Sequence, residues 1–472
     1  MMPWRAEPIP MTIPKTGYRS GLVRALGIAV AALITANGVV ITEQLTHRDL
    51  INLATDGFDN ARDSLAKMLQ PDKAAQAGAV GESSTSTAPP SPTTTPPTTA
   101  PAVVAGVTVT SQTTATTTPP ITAPAAAVPA ANPLDQTIAA GTAYVEKERG
   151  LKFTSPVKVT SLDDAPFKAK LSAVRMGPAV AKAQRDQGLM RALGVIGPTV
   201  DLAAQVRRLA TGSATAFYDT KGNELFVHSG PISPFTRKAI VHELAKALDD
   251  QHFELDRPDL AAANDESAAA FEALYEGVAT RIENRYIASL PDGDKKAITA
   301  ESNRLAAQVP RDLPPIVLVT YGFPYAAGPK LADAILAAGG TGRLDKAMQS
   351  PPTTTEQVLH PEKYLAGEGP KPAPAPPADG AVVRQGSMGQ LDISLMLAGV
   401  LDAGYAEGAA DGWGGDQYVV WQNGNQSCAR LSIVMDNPTQ TTTMGEALND
   451  WSADRPGAKI EGTGPFTVTN CG

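Results

Sequence analysis

Cysteine is nearly absent: the 472-residue chain has two, Cys428 and Cys471, both near its C-terminal end. Two thiolates cannot build a four-cysteine zinc centre. In an oxidising compartment they are expected to pair with each other and tie the tail to the preceding segment. Aromatic residues make up only 5% of the chain, while Ala, Gly, Pro and Thr are abundant, in part because of one low-complexity stretch. No basic block or RNA-binding signature occurs, and 40 basic against 48 acidic residues leave a net charge of -8. Nucleic acid is therefore not an expected partner. Histidine is scarce too, with five positions in all: His47, His228, His242, His252 and His360.

The N-terminal part divides by composition. A basic leader (1–24) holds Arg5, Lys15, Arg19 and Arg24, and the run after it, ALGIAVAALITANGVVI, carries no charge. That run is close to the shortest that spans a bilayer, so a transmembrane helix is expected over 25–42. The positive charges before it and Glu43 after it place the N-terminus in the cytoplasm and the rest outside the cell membrane. A cleaved signal peptide is the competing reading, since Ala36 and Gly38 lie near the end of the run. A membrane-proximal helix is expected within 43–77, with Leu50, Leu53, Ala61, Leu65 and Met68 as a rough apolar stripe. Residues 78–134, rich in Pro, Thr and Ala, cannot bury a core and read as a disordered tether spanning about 40 Å as a coil.

The folded domain is expected over 135–472. ATAFYDTKGNELFVHSG reads as a hairpin around DTKGN. A helix follows at 234–253, with Ser233 as its cap and Pro234 at its first position, and another at 261–289. LPPIVLVTYGFPY is an apolar run broken by prolines, further helices are expected at 329–339 and 387–403, and DQYVVWQ and ARLSIVMD read as strands. The pattern is α+β rather than a regular βαβ alternation.

The stretch that carries chemistry is AIVHELAKALDDQHF. In an HExxH helix two histidines one turn apart hold one zinc ion, and the glutamate between them acts as general base. Here His242 and Glu243 are present but Lys246 stands where the second histidine belongs. A charged ammonium has three donors and no lone pair, so it cannot ligate a metal. His252 is ten residues on, about 15 Å further along one helix. Glu272, Glu276 and Glu283 share a face of the second helix, and the bland reading is a solvated acidic stripe. The bland reading of Glu243 and Lys246 is a surface ion pair worth a few tenths of a kcal/mol.

VHELAKALDDQHFELD, with EGVA downstream, resembles a family of bacterial, mostly actinobacterial, metallopeptidase-like proteins marked by a motif like HELTHALQDQHF followed by EGxA. The likeness continues in order through YDTKGNELFVHSG, FPYAAG, PPTTTEQVLHPEKY and GWGGDQYVVW, covering about 136–472. It implies a zincin-like core behind the anchor, with Glu276 as third ligand, and it implies that Ala245-Lys246 replaces the family's Thr-His pair. On that basis Glu243 is a vestigial general base, and His242 and Glu276 are vestigial ligands of a site that takes no cofactor. Lys246 is expected to supply the missing positive charge by pairing with Glu276, and with Glu243, beside a neutral His242. His360, Trp413 and Asp416 are candidates for the cleft alongside Lys246, against the bland readings of structural, hydrogen-bonded histidines at 252 and 360 and a tight Gly-rich turn around Trp413 and Asp416.

The expected role is that of a pseudo-peptidase at the cell membrane that binds a peptide, protein or cell-wall component outside the cell. One alternative is an active zinc peptidase in which His228, His360 or water completes the ligand set. Another is a structural envelope protein.

Overall fold

The computed structural model describes residues 132–209, 214–310 and 312–472. The leader, the span expected at 25–42, the helix expected within 43–77 and all but the last three residues of the tether lie outside the described residues. Among those described, no helix is long and apolar enough to cross a membrane.

The described residues open with α1 (Pro133–Arg149), two residues ahead of the expected domain start, followed by β1 (Lys158–Leu162). Helix α2 (Asp164–Leu171) passes through one π-helical turn, Ser172–Met176, into α3 (Gly177–Ala192), and α4 (Leu202–Leu209) follows. Next come β2 (Ala216–Asp219), β3 (Glu224–His228), α5 (Pro234–Phe253), α6 (Pro258–Ala263), α7 (Asp265–Ser289), α8 (Asp292–Ala306) and α9 (Pro315–Gln349). Two short helices, α10 (Thr355–Leu359) and α11 (Pro361–Ala366), lead to β4 (Val382–Gly386), α12 (Gly389–Ala398) and α13 (Ala403–Ala410). The chain closes with β5 (Trp413–Asn423), β6 (Gln426–Met435), α14 (Pro438–Ala453), β7 (Lys459–Glu461) and β8 (Phe466–Cys471). This is an α+β arrangement with a three-stranded sheet, β1-β3-β2, and a five-stranded sheet, β4-β5-β6-β8-β7.

The hairpin forms as expected: β2 and β3 are antiparallel, with Asp219 opposite Glu224 across the turn. Helix α5 starts on Ser233, whose side chain accepts from the Thr236 N–H, with Pro234 where a missing N–H costs nothing. Helix α7 is capped by Asn264, which accepts from the Ser267 N–H at 2.7 Å. In the larger sheet β6 and β8 place Cys428 directly opposite Cys471, and the two are joined by a disulfide.

Two expectations fail. The apolar run from 313 and the helix expected at 329–339 are one helix, α9, which runs through Pro324 and Pro329 and breaks only at Gly339-Gly340. A proline removes one backbone donor, and here the face that carries both is buried in the core. The helix expected at 387–403 is two, α12 and α13, with Asp402 capping the second by accepting from the Gly404 and Tyr405 N–H groups.

Helices α7 and α9 cross at bare backbone. A Cβ on Gly277 would lie 2.2 Å from the Gly328 carbonyl carbon, and one on Gly328 would lie 2.1 Å from the Ala273 oxygen. Any side chain there would force the helices apart. The crossing sets the position of Glu276 in EGVA against Tyr325 in FPYAAG, two residues 49 positions apart in sequence.

Candidate functional site

Helix α5 is buried on all sides, with every residue from Lys238 to Asp250 out of solvent. Its charged residues therefore cannot be a solvated face, because an unpaired ion in such surroundings costs several kcal/mol. Asp249 accepts from Arg149 Nε at 2.7 Å, and Asp250 accepts from the Tyr218 hydroxyl at 2.8 Å. Arg237, at the helix's edge, donates to Asp294 of α8, while Lys238, His242, Glu243 and Lys246 form one chain with groups from α7 and from the π-helical turn.

In that chain Lys238 Nζ donates to Glu283 Oε1 at 2.8 Å, and Glu283 Oε2 lies 2.9 Å from His242 Nδ1. The other imidazole nitrogen, Nε2, is 2.9 Å from Glu276 Oε2. Glu276 Oε1 accepts from Lys246 Nζ at 2.7 Å, and that ammonium is 3.4 Å from Glu243 Oε2. Glu243 Oε1 accepts from Arg175 Nη2 at 3.0 Å, and Glu243 Oε2 accepts from the Tyr218 N–H at 3.0 Å. The surface-pair reading of Glu243 and Lys246 is thus overturned: their side chains are 0% and 4% exposed.

Charges alternate along the whole series. Both nitrogens of His242 face carboxylate oxygens, so each has an acceptor for a proton. Burial alone would push the imidazole down, but the hydrogen bonds to Glu276 and Glu283 outweigh it and lift it to about 8. His242 is therefore cationic at neutral pH, not neutral as expected from the sequence. Four cations (Lys238, His242, Lys246, Arg175) interleave with three carboxylates (Glu283, Glu276, Glu243), so the series ends in a cation at both ends, Lys238 inside the protein and Arg175 on the cavity wall. Burial raises the Glu276 and Glu243 carboxyls, yet Lys246 and its neighbouring cations hold both below the ordinary carboxylate range.

These contacts decide what the site can do. Glu243 has both oxygens engaged by Arg175, Lys246 and the Tyr218 N–H and a depressed basicity, which weakens it as a general base. Zinc needs three protein ligands with lone pairs and an open position. The second ligand position here is filled by an ammonium, and the two remaining donors, His242 and Glu276, face each other, with Glu276 also held by Lys246. Among the described residues no group of three or more His, Cys, Asp or Glu side chains is arranged to hold a metal ion. The residues present do not fit zinc.

Lys246, Glu276 and Arg175 form part of the wall of a cavity of about 790 Å³, within the range of small-molecule and peptide pockets. Tyr275, Tyr321 and Tyr325 line it as well, and Lys246 Nζ lies 5.8 Å from the Tyr275 ring centroid.

The other described histidines lie elsewhere. His228 is 3.4 Å from Asp164 with its ring against Phe167, and His252 donates to the Lys152 carbonyl at 2.8 Å. His360 pairs with Asp411 at 3.0 Å and is not on the cavity wall. The cleft assignments of His360, Trp413 and Asp416 are therefore corrected. Trp413 is buried, and its indole N–H donates to Asp416. Asp416 also accepts from the Met388 and Gly389 N–H groups at 2.8 and 2.9 Å, so it anchors the start of α12 from inside the protein.

Sequence reasoning put Glu283 on the right face without seeing its bond to His242, and it missed Lys238 and Arg175. Lys238 lies one turn before His242 on α5, a legible spacing. Arg175 carries no local sign beyond its place in a π-helical turn, an irregularity that often marks functional positions.

A model for a domain of unknown function, DUF8575, matches residues 380–470, the segment from β4 to β8 that supplies Arg384, Met388, Asp392 and Tyr418 to the cavity wall. No curated protein and no solved structure matches the chain.

Proposed function

We propose that this is a membrane-anchored, extracytoplasmic, metallopeptidase-like protein that binds a peptide in its cavity and has lost zinc-dependent hydrolysis. The observation that carries the reading is the Lys246 ammonium, seated 2.7 Å from Glu276 and 3.4 Å from Glu243. A cation there serves the charge balance that a metal would serve, while offering no Lewis acidity and no activated water. The topology rests on the basic leader and the uncharged run after it. The peptide reading rests on the cavity lying against the HExx helix, where a peptidase would hold its substrate.

Metal analysis and peptide binding on the purified full-length chain test the reading. The native protein is expected to come without stoichiometric zinc and to show no chelator-sensitive cleavage. Lys246→His is expected to gain zinc. Stoichiometric zinc in the native chain, with cleavage abolished in Glu243→Gln, would overturn the proposal in favour of an active peptidase. Failure of any peptide to bind the cavity would favour a purely structural envelope role.

A further inference from the structure

Five of the ten tyrosines in the chain line the cavity, and two of them are occupied: the Tyr218 hydroxyl donates to Asp250, and the Tyr418 hydroxyl accepts from Arg384 Nε. The hydroxyls of the other three, Tyr275, Tyr321 and Tyr325, have no hydrogen bond among the described residues and are not sealed inside the protein. Arg175 stands on the same wall. Its Nη2 donates to Glu243 Oε1 at 3.0 Å and lies 4.0 Å from Glu276 Oε1. Its Nε and Nη1 have no partner among the described residues, and the side chain is 22% exposed. The acceptors beside it are in the reverse condition, since all four oxygens of Glu243 and Glu276 are engaged.

These open donors are held in place. Glu243 is wholly buried and is itself fixed by the Tyr218 N–H, so one arm of the guanidinium is tied to a rigid anchor. The guanidinium is planar, and tying one nitrogen restricts where the other N–H groups point. The Tyr275 ring packs edge-on against Phe271 at 5.4 Å, and the Tyr325 ring lies 6.2 Å from the His242 ring. Both phenols are electrostatic neighbours of Arg175, and burial raises them so that they keep their protons. Donors fixed in advance hold an acceptor with little loss of freedom. The charge balance says which acceptor. Glu272, exposed on the same wall, lies beside Glu276, Lys246 and Arg175. With it counted, the four cations of the buried series face four carboxylates, so this wall has no surplus charge to draw an anion. A neutral acceptor fits, and a peptide offers one in the carbonyl of every residue.

We infer that Arg175, through Nε and Nη1, forms with the hydroxyls of Tyr275 and Tyr325 a subsite for a neutral carbonyl oxygen of a peptide backbone, and that Glu243 positions the guanidinium for it. The inference rests on the reading of the cavity as a peptide cleft and names the group by which the peptide is held. The glutamate that would activate a water in an HExxH helix here aims a donor at the ligand.

Calorimetric titration of the full-length chain tests this with three probes: N-hexylacetamide, which is one amide carbonyl on an apolar stem; a blocked peptide of alanine and leucine ending in an amide; and the same peptide ending in a free carboxylate. The two peptides are expected to bind alike. Arg175→Lys keeps a cation beside Glu243 but removes the planar fork, and should weaken both by at least about ten-fold, the low end for a hydrogen bond to a charged group. Tyr325→Phe should weaken them by about three-fold. Glu243→Gln should weaken binding in the native chain and have no further effect in the Arg175→Lys chain, whereas a merely structural glutamate would lower both alike. Thermal unfolding checks that each variant folds, and Tyr325→Phe, which removes a single oxygen, decides the matter should Arg175→Lys not fold. Unchanged binding in Arg175→Lys and Tyr325→Phe overturns the carbonyl subsite and leaves the peptide cleft standing. A preference for the carboxylate peptide of about ten-fold or more, lost in Arg175→Lys, overturns the neutral acceptor. Binding of N-hexylacetamide but neither peptide, weakened in Arg175→Lys, upholds the subsite and overturns the peptide cleft. Binding of none of the probes overturns both.

Discussion

Replacing Lys246 with methionine isolates what its charge contributes. Methionine keeps much of the apolar stem and fills the same space, so the change removes the ammonium with little loss of packing. The two carboxylates it leaves behind are 4% exposed at Glu276 and 0% at Glu243. Removing one partner of a buried ion pair costs about 3–5 kcal/mol. Here Arg175 still touches Glu243 at 3.0 Å and His242 still touches Glu276 at 2.9 Å. The expected loss is therefore at the low end, about 3 kcal/mol. It can be read from urea unfolding of the full-length chain followed by fluorescence, since Trp413, Trp421 and Trp451 are buried in the domain. A second variant, Glu276→Gln, completes a double-mutant cycle. With that carboxylate already neutral, Lys246→Met should cost less, giving a coupling of at least about 1 kcal/mol. A single-variant loss below about 1 kcal/mol, or a coupling near zero, would refute the reasoning and place Lys246 among solvent-screened pairs.

Three further outcomes are expected. Burial pushes Asp392 up to about 6, with Lys182 opposing and Asp186, Asp265 and Asp416 adding to the rise. A carboxyl raised on folding binds its proton more tightly in the native state, so stability falls as pH rises from about 4 to about 6. Asp392→Asn should thus stabilise the domain by up to about 2 kcal/mol above pH 6 and by nothing below pH 4, measured as unfolding midpoints across pH; a pH-independent effect would contradict the assignment. Gly328→Ala, whose Cβ would meet the Ala273 oxygen at 2.1 Å, should cost about 3 kcal/mol or more in the same unfolding assay, and a loss under 1 would mean the helices part easily. Cys428 and Cys471 close a loop with a sequence separation of 43. Replacing both with serine should cost up to about 4 kcal/mol in the chain-entropy description, and intact mass after alkylation without reductant should show no added label.

Local chemistry made part of this molecule legible. Ser233-Pro234 announces the start of α5 because capping is a contact between near neighbours, and DTKGN announces the hairpin for the same reason. The pairing of Lys246 with Glu276 followed from the chemistry of the missing ligand. What stayed hidden depends on distant segments meeting. The sequence does not show that α5 is sheathed on every side, and that burial turns Glu243 and Lys246 from a surface pair into part of a buried chain. Nor does it show that His242 lies between two carboxylates, which reverses its expected charge. Pro324 and Pro329 misled because prolines usually end helices, whereas here the burial of α9 in the core overrides the local preference. Trp413 and Asp416 resembled cleft residues only because polar and aromatic groups in a Gly-rich stretch look alike whether they face inward or outward.

The contact of Gly277 with Gly328 bears on how such sequences can drift. A side chain such as Lys246 can be exchanged for another cation or a ligand while both helices stay where they are. The crossing belongs to two backbones at once, and no single substitution on either side restores it. Lineages that keep this architecture should therefore tolerate turnover at position 246 far more readily than at 277 or 328. Distant relatives would then be recognised by two small residues rather than by the charged side chains that run from Arg175 to Lys238.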